Sequence, residues 1–188
     1  RSTLFPYTTL FRSDARHSLC FFAFKKKFRQ GKNKIGIITS AKMIKFFNNI
    51  LKDYARTELA IKFLKKINSV SENSDSPDYY QIVDQVMEAL NRQENMQLIE
   101  IWFKFNIAKA SGEDINLYRD VDGQKLDQSK NYFWDYYEKA LKENQNGNIA
   151  ANEIKTMRLI VTNKLATVSK IKNIDDIMPP IFEIAESL

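Results

Sequence analysis

The chain has 188 residues, with 29 Lys or Arg against 23 Asp or Glu for a net charge of +6, and it contains one Cys and one His. So few of these residues exclude a disulfide framework and a Cys/His zinc site, and a Ser-His-Asp triad would have only His17 to draw on. No apolar run approaches the roughly 18 residues that a membrane-spanning helix needs.

From Thr3 to Ser13 the chain reads TLFPYTTLFRS, with Thr-Leu-Phe repeated at 3–5 and 9–11. This stretch resembles the translation of a sequencing-adapter oligonucleotide, which implies that residues 1–13 are an artefact of contaminated nucleotide data. Residues 14–42 show no sustained helical period, and regular amphipathic patterning begins at Met43, the first methionine. The expected organisation is a non-native leader over 1–42, adapter translation followed by read-through, and a single helical domain over 43–188. Leu188 follows Glu186 and Ser187 without a terminating signal, which marks a possible fragment edge at the C-terminus.

Cys20 and His17 both fall in the expected leader, and so does the basic character. Residues 1–42 carry ten Lys or Arg against one Asp, a net of +9, whereas 43–188 carry 19 against 22, a net of −3. A mildly acidic domain lacks the electrostatic footprint of a nucleic-acid binder, so nucleic acid is disfavoured as a partner. The apolar patch Leu19 to Phe24 ahead of Lys25, Lys26 and Lys27 is too short to anchor in a membrane.

Beyond Met43 the period is helical. Phe47, Ile50, Leu51, Tyr54, Ile61, Leu64 and Ile67 recur at spacings of three and four, which predicts a helix over about 44–68. A polar linker, 70–76, ends at Ser76. This residue has N-cap chemistry, with Pro77 at the first helical position and Asp78 near the positive end of the dipole. Ile82, Val83, Val86, Met87 and Leu90 form one face of the helix that follows.

The run 97–105 (QLIEIWFKF) alternates as a strand would. It is assigned as helix because no second strand offers to pair with it and Ala108 to Ala110 extend it with good helix formers. A long polar connection follows over 111–129, with Gly112, Gly123 and the acidic cluster Glu113, Asp114, Asp120, Asp122 and Asp127. That cluster is read as a solvated loop, since its spacing matches no coordination or catalytic pattern.

Ser129 is expected to cap a helix to about Lys142 whose aromatic block Tyr132, Phe133, Trp134, Tyr136 and Tyr137 covers a wide arc. It suits a central helix packed on two sides. Tyr132, Trp134 and Tyr136 are the candidate partner-binding residues if part of the arc faces outward. Ile154, Met157, Val161, Leu165 and Val168 predict one further helix, and Pro179-Pro180 opens a last one running to Leu188. The expected fold class is all-α, a single-domain bundle of five or six helices.

Residues 142–153 (KENQNGNIAANE) place Asn144 and Asn146 at the third and fifth positions of a twelve-residue loop. Gly147 is at the sixth, Asn148 at the seventh, Ile149 at the eighth and Glu153 at the twelfth. The loop resembles the calcium-binding loop of the EF-hand family, and the resemblance implies Asn144, Asn146, Asn148 and Glu153 as metal ligands and calcium as the cofactor. Lys142 stands at the first position, where that family carries Asp. The alternative is a helix-turn-helix connection in which Gly147 supplies a left-handed cap and Asn148 caps the next helix.

No phosphate-cradling glycine motif, nucleophile elbow or dinucleotide fingerprint occurs, so nothing argues for an enzyme. The leading functional expectation is a non-catalytic interaction or regulatory module in the cytoplasm, binding a protein partner or itself. The alternative is a divergent calcium-responsive helical protein that uses the loop 142–153. A weaker alternative is nucleic-acid binding through the basic residues 25–34.

Overall fold

A computed structural model describes residues 22–30, 36–71, 78–113, 115–172 and 174–188 of the chain. The adapter-like stretch 1–13, His17, Cys20 and the Ser76-Pro77 start signal lie outside the described residues.

The described residues open on an antiparallel pair, β1 (Phe22–Gln30) and β2 (Gly36–Phe46), with irregular register at Ala23/Phe24 and Lys27/Phe28. Met43 pairs with Phe24 inside this ladder, so the boundary expected at Met43 falls within a paired strand. The helix expected from about 44 begins later. A 3₁₀ turn at Ile50–Lys52 precedes α1 (Tyr54–Ser71), and Asp53 starts that helix by accepting the Arg56 N–H at 3.3 Å.

Two side-chain ties hold the hairpin exit to α2 (Asp78–Asn91). Lys45 Nζ lies 2.8 Å from Asp84 Oδ1 and 2.7 Å from Glu88 Oε1. Asn49 donates its backbone N–H to Asn91 Oδ1 at 2.9 Å, and its side-chain amide to the Asn91 carbonyl at 3.1 Å. Partial burial pulls the Lys45 ammonium down, but the hydrogen bonds to Asp84 and Glu88 hold it above the usual lysine value.

The run that alternates like a strand is helix α3 (Met96–Ala110), started by Asn95, whose side chain accepts the Leu98 N–H. It sits at the centre of the molecule, against α1, α2, α4 (Ala151–Thr162) and α6 (Ile174–Glu186). That position explains its lack of a single apolar face. Leu98, Ile99, Ile101, Trp102, Phe103, Phe105 and Ile107 are all buried, as a helix surrounded by others requires. Phe103 stacks on Phe63 of α1 with ring centroids 4.1 Å apart. Trp102 Nε1 donates to the Asn163 carbonyl at 3.0 Å.

The all-α expectation is corrected by a three-stranded mixed sheet in the order β3-β5-β4. β3 (Asn116–Asp120) lies in the stretch expected to be loop, while β4 (Tyr132–Asp135) and β5 (Ala140–Glu143) replace the helix expected over 129–142. β5 pairs parallel to β3 and antiparallel to β4. The reason is a period of two in the aromatic block. Tyr132 and Trp134 point into the core while Phe133 and Asp135 are only partly covered, the alternation of a strand with one buried face. Asp135 Oδ1 then accepts the N–H groups of Tyr137 and Glu138, closing the turn into β5.

Two further expectations change. The helix expected from Ile154 through Val168 breaks at Asn163, which is extended, and resumes as α5 (Leu165–Val168), whose first N–H donates to Gln85 Oε1. α6 begins five residues before Pro179 and contains both prolines. The carbonyls of Asp175 and Asp176, which lose helical partners to the prolines, belong to exposed residues that water reaches. One core cluster extends from Phe47 to Ala185 and takes in both helices and sheet. Among the described residues no helix is long and apolar enough to cross a membrane.

Candidate functional site

The calcium-like loop does different work here. Lys142 and Glu143 belong to β5, so the helix that should enter such a loop is a strand. Asn144 Oδ1 accepts the Asn146 N–H at 2.8 Å, forming a tight turn, and Asn148 is exposed. Gly147 lies against the Tyr132 backbone and is not left-handed. Ile149 exchanges two backbone hydrogen bonds with Tyr132, at 2.8 and 3.0 Å. Glu153 turns its carboxylate to the Ala150 N–H at 2.8 Å and so caps α4. Among the described residues no group of three His, Cys, Asp or Glu is arranged to hold a metal ion.

The aromatic candidates separate by burial. Tyr132 is 1% exposed and Trp134 5%, whereas Tyr136 is 59% exposed at the hairpin turn. Tyr132 Oη accepts the Asp127 N–H at 2.8 Å, and Trp134 Nε1 donates to Ser187 Oγ at 3.0 Å. Both are structural anchors of the sheet. Of the basic run 25–34, residues 25–30 form part of β1 and 31–34 lie outside the described residues.

Among the described residues are two concave surfaces of different character. The larger, of about 550 Å³, lies between α1, α3 and α6 over Phe63, Phe103 and Ile107. Two of its cations, Lys62 and Lys104, are matched by carboxylates: Lys62 meets Glu100 at 2.6 Å, and Lys104 meets both Glu186 and Glu100. The Lys104 hydrogen bond holds Glu186 below the usual carboxylate range.

The smaller cleft, of about 230 Å³, is open to solvent between β3, the turn after it and α4. Sequence spacing brings its cations together. Lys155 and Arg158 are three apart on α4, hence on one face, while Ile154, Met157 and Ile160 turn into the core. Arg158 is fixed by two hydrogen bonds from Nε and Nη2 to the Leu117 carbonyl, at 2.9 and 2.7 Å. Its guanidinium lies 4.7 Å from the ring centre of Tyr118, which is 60% exposed.

The turn returns Lys125 to this place. Asp120 Oδ1 accepts the N–H groups of Asp122 and Gln124, Gly123 takes φ +76, and Lys125 bridges Arg119. Leu126 then donates its N–H to the Tyr118 carbonyl at 3.1 Å. Asp127 closes the rim. Its Oδ1 accepts the Ser129 N–H and hydroxyl, both at 2.8 Å, and these bonds hold the carboxyl below its ordinary value. Among the described residues no carboxylate pairs with Lys125 or Lys155. The cleft therefore presents three cations, one carboxylate hydrogen-bonded to Ser129 and one aromatic face.

The described residues form an α/β body, a small mixed sheet packed on a helical core. The family described as "Recombination protein O C terminal" matches residues 67–184, well over half of the chain, and the chain belongs to it. No curated protein matches the chain. The match takes in α2 to α5, most of α6, the three-stranded sheet, the whole of the smaller cleft and part of the larger one.

Membership overturns several expectations. The description of the chain by an adapter-like leader and a calcium-like loop, with no family for the rest, gives way to one recognised family. The stretch 142–153 runs from a strand into a helix, without the entering helix of an EF-hand. The expectation of a non-catalytic module of unknown role is overturned, and so is the disfavouring of nucleic acid as a partner, because the family is one of recombination proteins. The cations of the cleft come from two segments, 119–125 and 155–158, with Asp120 and Asp122 inside the first of them and Asp127 on the rim.

Proposed function

We propose that this protein acts in DNA recombination and repair by binding nucleic acid, and that it works in the cytoplasm. The observation that carries this reading is the family match over 67–184. The cleft at Tyr118 supports it with the ingredients of nucleic-acid recognition, cations for phosphates and an aromatic ring beside them. The test is fluorescence anisotropy of labelled DNA oligonucleotides titrated with the full chain over a range of salt concentrations. Binding that weakens steeply and log-linearly with salt is the expected result, as released counterions demand. No binding at low salt to either single- or double-stranded DNA defeats the proposal.

A further inference from the structure

The geometry points to single-stranded DNA as the ligand of the small cleft, with one base stacked on Tyr118 and its flanking phosphates on Lys125 and Lys155; this inference rests on the DNA-binding reading above. Three observations carry it. First, the Tyr118 ring is held rather than loose. Arg158 lies over it, and Arg158 is itself fixed by two bonds to the Leu117 carbonyl. A ring positioned in this way loses little freedom when a base stacks on its open face.

Second, the ring is 60% exposed although it is large, aromatic and backed by a cation. In a duplex both faces of each base are covered by neighbouring bases, whereas in an unpaired strand a base face is free to stack on a ring of this kind. Third, the cleft of about 230 Å³ falls below the range of pockets that enclose drug-sized ligands and suits a single planar group. Lys125 and Lys155 both line it, one on the turn and one on α4, so a strand entering the cleft meets a cation from each element.

Stacking and phosphate contact separate experimentally. Labelled oligothymidylate and an abasic oligonucleotide of equal length carry the same phosphates, but only the first has bases. The wild-type chain is expected to bind oligothymidylate more tightly. Tyr118→Ala is expected to weaken that binding about tenfold while leaving the abasic strand unchanged, and Tyr118→Phe to restore it. Lys155→Ala is expected to weaken both strands alike and to flatten the salt dependence.

If the wild type binds DNA and Tyr118→Ala binds oligothymidylate equally well, the cleft is not the site and the inference falls while the DNA-binding reading stands. Equal loss on both strands overturns the stacking as well. If the wild type binds no DNA, both fall together. A duplex preferred over single strands also overturns the inference without touching the broader reading.

Discussion

Gly147 lies so close to Tyr132 that a Cβ at position 147 would sit 2.2 Å from the Tyr132 carbonyl oxygen, 2.3 Å from its carbonyl carbon and 2.7 Å from its nitrogen. The obstacle is backbone within a hydrogen-bonded bridge to Ile149, so no side chain can swing aside. Gly147→Ala is expected to destabilise the fold by about 3 kcal/mol or more, through overpacking and loss of the bridge. Gly123→Ala meets nothing within 4 Å and costs only the left-handed backbone strain, about 1 kcal/mol. Urea midpoints of the two variants check the contrast.

The aromatic block divides the same way. Trp134→Ala and Tyr132→Ala are expected to cost about 3–5 kcal/mol each, because each empties a buried site. Tyr132→Phe keeps the packing but leaves the Asp127 N–H without its acceptor, a loss of about 1 kcal/mol. Tyr137→Ala, at a residue 98% exposed, is expected to stay within about 0.5 kcal/mol of the parent. Chemical denaturation followed by circular dichroism orders all four.

A pH dependence follows from Lys45 and Glu88. The Lys45 hydrogen bond holds the Glu88 carboxyl below its ordinary value of 4.5. Its contribution is fully present above 4.5 and is lost as pH falls through the lower folded value. Lys45 is raised above 10.5, so its contribution is present below 10.5 and lost as pH rises through the folded value. Both side chains are about one-third exposed, which keeps the effect modest and sensitive to salt. Glu88→Gln is expected to be less stable than the parent at neutral pH and equal to it well below pH 4.5. Thermal melts across that range measure the convergence.

Glu153 tests the loop. If its carboxylate serves the Ala150 N–H, Glu153→Ala costs about 1 kcal/mol with calcium or with chelator alike. A cost that appears only when calcium is present would return Glu153 to the role of a ligand. Paired melts in millimolar calcium and in chelator decide it.

The elements legible in the sequence are those whose pattern runs long enough to show a period. α2 is one: Ile82, Val83, Val86, Met87 and Leu90 are all buried, along the face that their spacing marks. β4 has four residues, too few for alternation to compete with the wide helical arc that five aromatics also cover. β3 was hidden in a polar stretch, because Leu117 is the one buried residue of that strand and its pairing with β5 depends on a partner more than twenty residues away. The Pro179-Pro180 signal marked a helix but not its start, since exposed carbonyls at the preceding turn tolerate both rings.

The candidate site was less legible than the fold. Tyr118, Lys125, Lys155 and Arg158 come from a strand, a turn and a helix, and no single stretch holds an arrangement that spacing could reveal. The signal that was present is local: a Tyr next to Arg119 inside an acidic loop, and Lys155 and Arg158 three apart on a helix. Only the fold joins the two, through the Leu117 carbonyl that accepts from Arg158.

The central place of α3 has a consequence for synthesis on the ribosome. A helix that is apolar around nearly its whole circumference emerges before α4 and α6, which cover two of its sides, have been made. Until residues beyond Ile184 have left the exit tunnel, Trp102, Phe105 and Ile107 have no permanent neighbours there. Nascent chains of this protein therefore pass through a stage in which a sticky helix is on offer to chaperones or to one another, so slow codons after Thr162 would lengthen that hazard.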